Sequence, residues 1–485
     1  MVLSIIQKAT DEFVSQQPKA KRKQYGQFFT TVPTAEFMAS MFQIDTNRSS
    51  IRLLDAGAGA GILSAALVSH LRASGYKGRI ILICYENNPD VLPVLKRNLD
   101  LLRDDFHVEF QLIDDNYITS QPFDDNSLFD SAIEPFDLII GNPPYKKVAI
   151  GSPEAHHMQS VCHGAPNLYF LFFAMAISNL KENGELVYII PRSWTSGAYF
   201  ERFRSFLFKH CTIQHIHLFG SRDKIFKGES VLQETMIIKV KKTRKKPNST
   251  VVSFSETSDF SDVSKRRIDY NVIVGANGYV YLVTKQEELS VLSRLNRLQS
   301  TLIDDGLQMK TGIIVDFRTK EVLRNKAGES TFPLFFAQHI KNGKVIWPIG
   351  KKNEYICTNH KGFLQENSNY VFIKRFTAKE EKRRLQCGIY LSKDYPQFKY
   401  ISTQNKINFI KCKTEDQAFG VYTILNSCLY DTYYRILNGS TQVNSTEINK
   451  MPVPPEEVIS KMGRELQGKE LSVQNCNNII DKWIN

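Results

Sequence analysis

Residues 51–63, Ile-Arg-Leu-Leu-Asp-Ala-Gly-Ala-Gly-Ala-Gly-Ile-Leu, constrain the fold more than any other stretch of this 485-residue chain. An apolar run leads into glycines spaced G-x-G-x-G, after which apolar residues resume. This reads as a buried strand, a tight turn and the opening of a helix. Glycine reaches the backbone conformations of such a turn without steric cost and lets main chain approach a bound group closely. The next apolar run, Ile81-Leu82-Ile83-Cys84-Tyr85, ends in Glu86, where a carboxylate can accept from both hydroxyls of a ribose. The glycine spacing departs from the dinucleotide fingerprint G-x-G-x-x-G. Asp55, Gly57, Gly59 and Glu86 therefore fit a nucleoside better than a dinucleotide. Strands and helices alternate from about 26 to 240, which predicts a doubly wound α/β sheet.

A third apolar run, Phe136-Asp137-Leu138-Ile139-Ile140-Gly141, is followed by Asn142-Pro143-Pro144-Tyr145. The prolines fix φ and remove two N–H donors, which aims the Pro143 carbonyl. The Asn142 carboxamide and that carbonyl form a pair of acceptors that the two N–H groups of a planar amine can fill. Accepting both protons draws the nitrogen toward tetrahedral geometry and frees its lone pair for attack. No strong base is then required. Tyr145 offers a π-face on which an aromatic ring can stack. A plain strand-to-turn exit is the simpler reading of an Asn-Pro step, but its position downstream of the glycine turn and Glu86 favours chemistry.

With these motifs in this order, residues 21–240 resemble the gamma-class adenine-specific DNA methyltransferases of type II restriction-modification systems. The resemblance implies a Rossmann-like catalytic domain, S-adenosyl-L-methionine as cofactor, and transfer of its methyl group to adenine N6. A base inside a duplex cannot reach such a site, so the target nucleotide would flip out of the stack. Gly26-Gln27-Phe28-Phe29-Thr30 is similar to the family's first cofactor segment, with Phe29 packing nearby and Thr30 at the methionine part. In Asp114-Asp115-Asn116-Tyr117, Asp115 is taken over Asp114 as the carboxylate for the cofactor's adenine. Asn167–Phe172 matches the helix that backs the cofactor. Phe226, in Lys224-Ile225-Phe226-Lys227-Gly228, is the candidate for the second face of the flipped base, with Phe219 as its rival.

The charge balance is regional. Residues 1–240 carry 24 Lys and Arg against 25 Asp and Glu, whereas residues 241–485 carry 38 against 25. A catalytic domain over 1–240 joined to a basic target-recognition domain over 241–485 is expected, with double-stranded DNA as the partner. The charged stretch 241–250, Lys-Lys-Thr-Arg-Lys-Lys-Pro-Asn-Ser-Thr, is the expected boundary, although a hairpin tip with solvated lysines is its bland reading. The second half mixes short apolar runs and polar turns, and an α+β domain is expected there. Asp316-Phe317-Arg318, residues 372–376 and Lys382-Arg383-Arg384 interleave basic and aromatic residues, and 439–444 followed by 451–455 is similar to the way family recognition domains close onto DNA.

The eight cysteines stand singly, without a CxxC or Cys/His cluster, which argues against zinc and for reduced thiols; no metal is expected. His156-His157 reads as loop polarity or a phosphate neighbour. No export signal is evident, and the apolar stretch Leu168–Ile177 is too short to cross a bilayer. A cytoplasmic protein is the expectation, sufficient as a monomer and paired with a separately encoded restriction endonuclease. The competing functions are the same chemistry on RNA adenine or on a protein glutamine amide, and a catalytically inactive DNA-specificity module.

Overall fold

The computed structural model describes residues 2–17, 29–123, 134–220, 235–377, 381–437 and 442–484. The chain divides into two compact units, Met1–Thr284 and Lys285–Asn485.

The first unit is built on a nine-stranded sheet in the order β3-β2-β1-β4-β5-β7-β6-β8-β9. Its strands are β1 Ser50–Ala56, β2 Arg79–Tyr85, β3 Val108–Ile113, β4 Phe136–Gly141, β5 Leu180–Pro191, β6 Cys211–Phe219, β7 Thr235–Lys242, β8 Ser249–Ser255 and β9 Ser264–Asp269. The pairings β3-β2-β1-β4-β5 are all parallel, and β7 enters antiparallel between β5 and β6. Strands covered on both faces must be apolar throughout. In β4 all six residues are buried, and the one charged residue, Asp137, is paired with Lys181 at 3.1 Å and with Arg48. The expected α/β reading of the first half is what the fold contains.

Helix Leu168–Asn179, Leu-Tyr-Phe-Leu-Phe-Phe-Ala-Met-Ala-Ile-Ser-Asn, is buried except at Leu168 and Ser178. It is apolar all round because it packs inside the domain. Among the described residues no helix is long and apolar enough to cross a membrane.

The expected division at 240/241 falls inside β7, and two further strands of the same sheet follow it. Lys241 and Lys242 are strand residues, and the stretch after them is the turn into β8. The Lys242 ammonium donates to the carbonyls of Ile177, Ser178 and Leu180 at 3.0, 3.2 and 2.7 Å, at the negative end of the buried helix. Lys239 is buried against Glu185 at 2.9 Å. These lysines are internal fasteners, which composition alone does not reveal. Counted on the structural division, residues 1–284 hold 32 Lys and Arg against 29 Asp and Glu, and residues 285–485 hold 30 against 21. The positive excess still falls mainly on the second unit.

That unit is α+β, with one six-stranded and one five-stranded sheet and helices Glu415–Leu425, Cys428–Leu437, Glu456–Leu466 and Val473–Trp483. Phe335, Trp347, Tyr370, Phe372 and Tyr390 form the centre of its aromatic core.

Candidate active site

The strand order reverses between β1 and β4, each of which continues outward on its far side. A cleft opens at the carboxyl ends of the strands at such a point. The parallel register pairs Leu53 with Leu138 and Asp55 with Ile140. The turn after β1 and the segment after β4 therefore emerge side by side. Two stretches some eighty residues apart in sequence meet because their strands are neighbours.

The glycine turn has the predicted backbone. Gly57 and Gly59 have φ of +73° and +56°, a region that disfavours any side chain. A methyl group on either would lie 3.5 Å from Phe172 or 3.6 Å from Phe29. Gly141 is needed for a different reason: a Cβ there would stand 2.7 Å from the Tyr188 ring. Tyr188 is the β5 residue paired with Gly141, just before the Asn-Pro-Pro-Tyr segment.

The cleft has a volume of about 320 Å3, within the size range of small-molecule sites. Phe29, Thr30, Gly57, Gly59, Glu86 and Asp115 line it together with Asn142 and Pro144. Asp114 is not among its lining residues. Leu168 and Phe172 form its back wall, as the match of residues 167–172 implied.

Glu86 ties β2 to the glycine turn. Its carboxylate accepts from the Gly59 and Asn88 N–H groups, each at 2.9 Å. Burial raises its pKa, against those hydrogen bonds. Each carboxylate oxygen has a second lone pair, so both hydroxyls of a ribose can still be accepted. The Asn142 side-chain nitrogen donates to the Thr30 hydroxyl at 3.1 Å. Tyr145 is half-buried, and its hydroxyl donates to the Ile189 carbonyl at 3.0 Å, which fixes the ring beside β5. Pro143 is buried.

Asp55 corrects the sequence reading of its role. It is fully buried and does not line the cleft; its Oδ2 accepts from the backbone N–H and the hydroxyl of Ser64 at 3.2 and 2.7 Å. It fastens β1 to the helix Ile62–Ala73 under the glycine turn. Burial pushes its pKa up to about 7, the Ser64 hydrogen bonds opposing and the Glu86 charge adding to the rise.

Phe226 and residues 26–28 lie outside the described residues. Phe219, the rival stacking candidate, ends β6 in an aromatic group with His217 and Phe260, at centroid distances of 4.7 and 5.9 Å. Sequence reasoning did not name Lys146, Asn116 or Glu154 as cleft residues. Asn116 donates to Glu154 at 3.0 Å, which pins the short helix Pro153–His157 to the cleft wall. His156 and His157, read from the sequence as loop residues, close that helix, and His157 Nε2 bonds the Gln121 carbonyl at 2.8 Å. Among the described residues no group of three or more His, Cys, Asp or Glu is arranged to hold a metal ion.

The donor set suits S-adenosylmethionine. Glu86 and Asp115 line the cleft as carboxylate acceptors, Phe29 and Phe172 supply apolar walls, and the side-chain-free turn leaves backbone open to a close approach.

The family model described as "Eco57I restriction-modification methylase" matches residues 79–226. Over 476 residues the chain is 34% identical to Type II methyltransferase M.BsuBI of Bacillus subtilis, covering 95% of this chain and 93% of the relative. It is 33% identical over 482 residues to Type II methyltransferase M.PstI of Providencia stuartii, with the same coverage. Among solved structures, the Type IIL restriction-modification enzyme MmeI in complex with DNA superposes with a TM-score of 0.53 at 12% identity, over 99% of this chain and 75% of that chain. At that identity the last is a likeness of fold alone.

Proposed function

We propose, starting from the fact that this chain belongs to the Type II methyltransferase family of restriction-modification methylases, that it transfers a methyl group from S-adenosylmethionine to adenine N6 in duplex DNA. The supporting observation is the meeting of Asn142 with Thr30 in the cleft where the glycine turn and Glu86 also converge. Glu86 would hold the ribose, Asp115 the adenine of the cofactor, and Phe29 and Thr30 the methionine end. When bound, the cofactor supplies an electrophilic methyl group carried on a sulfonium.

The remaining work belongs to the chain. With its nitrogen engaged by Thr30, the Asn142 carboxamide presents Oδ1 as its acceptor. That oxygen and the Pro143 carbonyl would accept hydrogen bonds from the two N–H groups of the target amine and would stabilise the developing ammonium better than the flat ground-state amine. As the carbon–nitrogen bond forms and the carbon–sulfur bond breaks to leave a neutral thioether, the methylated nitrogen loses one proton to solvent. Alignment of nitrogen and methyl carbon supplies the rest of the acceleration. The target adenine would leave the duplex and stack on Tyr145, with Phe226 as the proposed second face. A single chain methylates one strand at a time, so a monomer suffices. It would work in the cytoplasm, protecting DNA from a partner endonuclease.

The deciding experiment is modified-base sequencing of DNA from a methylation-free host that expresses the chain. N6-methyladenine at one short sequence is the expected result. DNA without any modified base would overturn the proposal.

A further inference from the structure

The second unit carries an edge whose chemistry the active site does not use. Phe317 is 70% exposed and Ile313 is 51% exposed on the segment that follows the strand Met309–Thr311, while Phe376 is 45% exposed at the end of the strand Asn369–Lys374. An exposed aromatic on a slack loop would mean little. This segment is not slack. Buried Ile314 anchors it: the Ile314 N–H donates to the Thr403 carbonyl at 3.2 Å, and the Ile314 carbonyl accepts from Asn405 N–H at 2.8 Å. Gln404 Nε2 donates to the Asp316 carboxylate at 2.6 Å, and the Arg318 N–H closes a turn on the Val315 carbonyl at 2.8 Å.

The turn 404–406 also holds the other aromatic. Arg375 N–H donates to the Lys406 carbonyl and Arg375 Nη1 to the Asn405 carbonyl, both at 3.0 Å. Phe376 forms an isolated bridge with Gln442, and Val443 N–H donates to the Arg375 carbonyl at 2.7 Å. Three stretches that stood out separately in the sequence, around 317, 375 and 442, thus form one braced edge.

Its charge is mainly positive, since the segment's one carboxylate, Asp316, is bonded to Gln404. Among the described residues, Lys310, Arg318, Lys374, Arg375 and Lys406 have no carboxylate partner. The Arg318 and Arg375 guanidiniums lie over the adjacent Phe rings, at 5.4 and 5.6 Å from the centroids. Stacking holds each guanidinium flat, with its donor rim available to an anion. A rigid apolar tip ringed by unneutralised cations fits a polyanion that also offers apolar groove surface and π-faces. Duplex DNA has both.

We infer that this edge is the duplex-DNA contact surface of the second unit, with Phe317 entering a groove and Lys310, Arg318 and Lys406 on phosphates. The inference rests on the proposed function, and its test separates the two. Full-length parent, F317A, K310Q/R318Q/K406Q and the control K326Q/K341Q/K352Q would be titrated with the methylated duplex sequence at several salt concentrations. The control removes three exposed lysines of the same unit.

The edge triple variant is expected to lose about tenfold or more in affinity and to flatten the salt dependence by about two to three charges. F317A is expected to lose about fivefold with an unchanged salt slope. Cofactor binding and melting temperature should match the parent, and the control should stay within about twofold. Parent-like binding by both edge variants, or an equal loss in the control, overturns the edge while leaving the methyltransferase reading intact. A parent chain that binds cofactor and leaves duplex DNA unmethylated overturns both.

Discussion

The Asn142 side-chain nitrogen donates to the Thr30 hydroxyl at 3.1 Å, joining residues 112 positions apart in the chain. Asn142 follows β4, and Thr30 precedes the helix Val32–Ser40. The contact gives the carboxamide a direction, because once its donor end is occupied by Thr30 its acceptor end is set. Thr30 is itself buried, so the bond is shielded from competing water.

In the proposed function Thr30 borders the methionine end of the cofactor and also orients the Asn142 carboxamide, and the second role is the one a rate measurement separates. Thr30→Val keeps the shape and removes the acceptor. We expect kcat to fall about tenfold or more with cofactor affinity changed only a few-fold, and Thr30→Ser to restore most of the rate. Steady-state methylation combined with calorimetry of cofactor binding tests this. Equal losses in all parameters, unrescued by serine, would assign Thr30 a merely structural part.

Asn142→Ala removes the carboxamide and with it one acceptor for the target amine. Turnover should drop by about a hundredfold or more, while the cofactor still binds through the glycine turn and Glu86. Methylation at the parent rate would sink the proposed chemistry.

Glu86→Gln replaces a two-oxygen acceptor by a group with one acceptor and one donor. Its new NH2 would confront the N–H of Gly59 or Asn88, both of which now donate to the carboxylate. Cofactor dissociation constants should rise about tenfold to a hundredfold. An unchanged calorimetric affinity would remove Glu86 from the ligand's partners.

Asp55 should make stability depend on pH. Its carboxyl is pushed up to about 7 in the fold from an ordinary value of 3.8. Between those limits the folded chain holds a proton that the unfolded chain has released, so the contribution to stability is full below about pH 4 and is lost as pH rises toward 7. Asp55→Asn has no such titration and can still accept from Ser64. The melting temperature of the parent relative to this variant should fall by at least about 2 °C between pH 5 and pH 7.5. A constant difference would show that Asp55 does not titrate in this range.

Much of the site was legible because its signals are local. A turn needing φ near +73° calls for glycine, a covered parallel strand calls for an apolar run, and two prolines after Asn142 fix the backbone there. Those constraints act within a few residues, so residues 51–63, 81–86 and 136–145 carried the α/β reading and the candidate chemistry without a structure. Whether Asp55 faces a ligand or a helix was not legible, since both placements follow the same strand. Nor did composition distinguish lysines in water from Lys239 and Lys242, which fasten the sheet from within.

By itself the sequence determined the carboxyl ends of β1, β2 and β4, the turn chemistry and the family resemblance, since each depends on short-range sterics or on residues close in the chain. Only tertiary structure decided that Thr30 meets Asn142, that the first unit runs to Thr284, and that residues around 317, 375 and 442 share one edge. The reason is physical: such contacts arise from strand order and packing between distant segments, and the hydrogen bonds that make them leave no periodic mark on either segment alone.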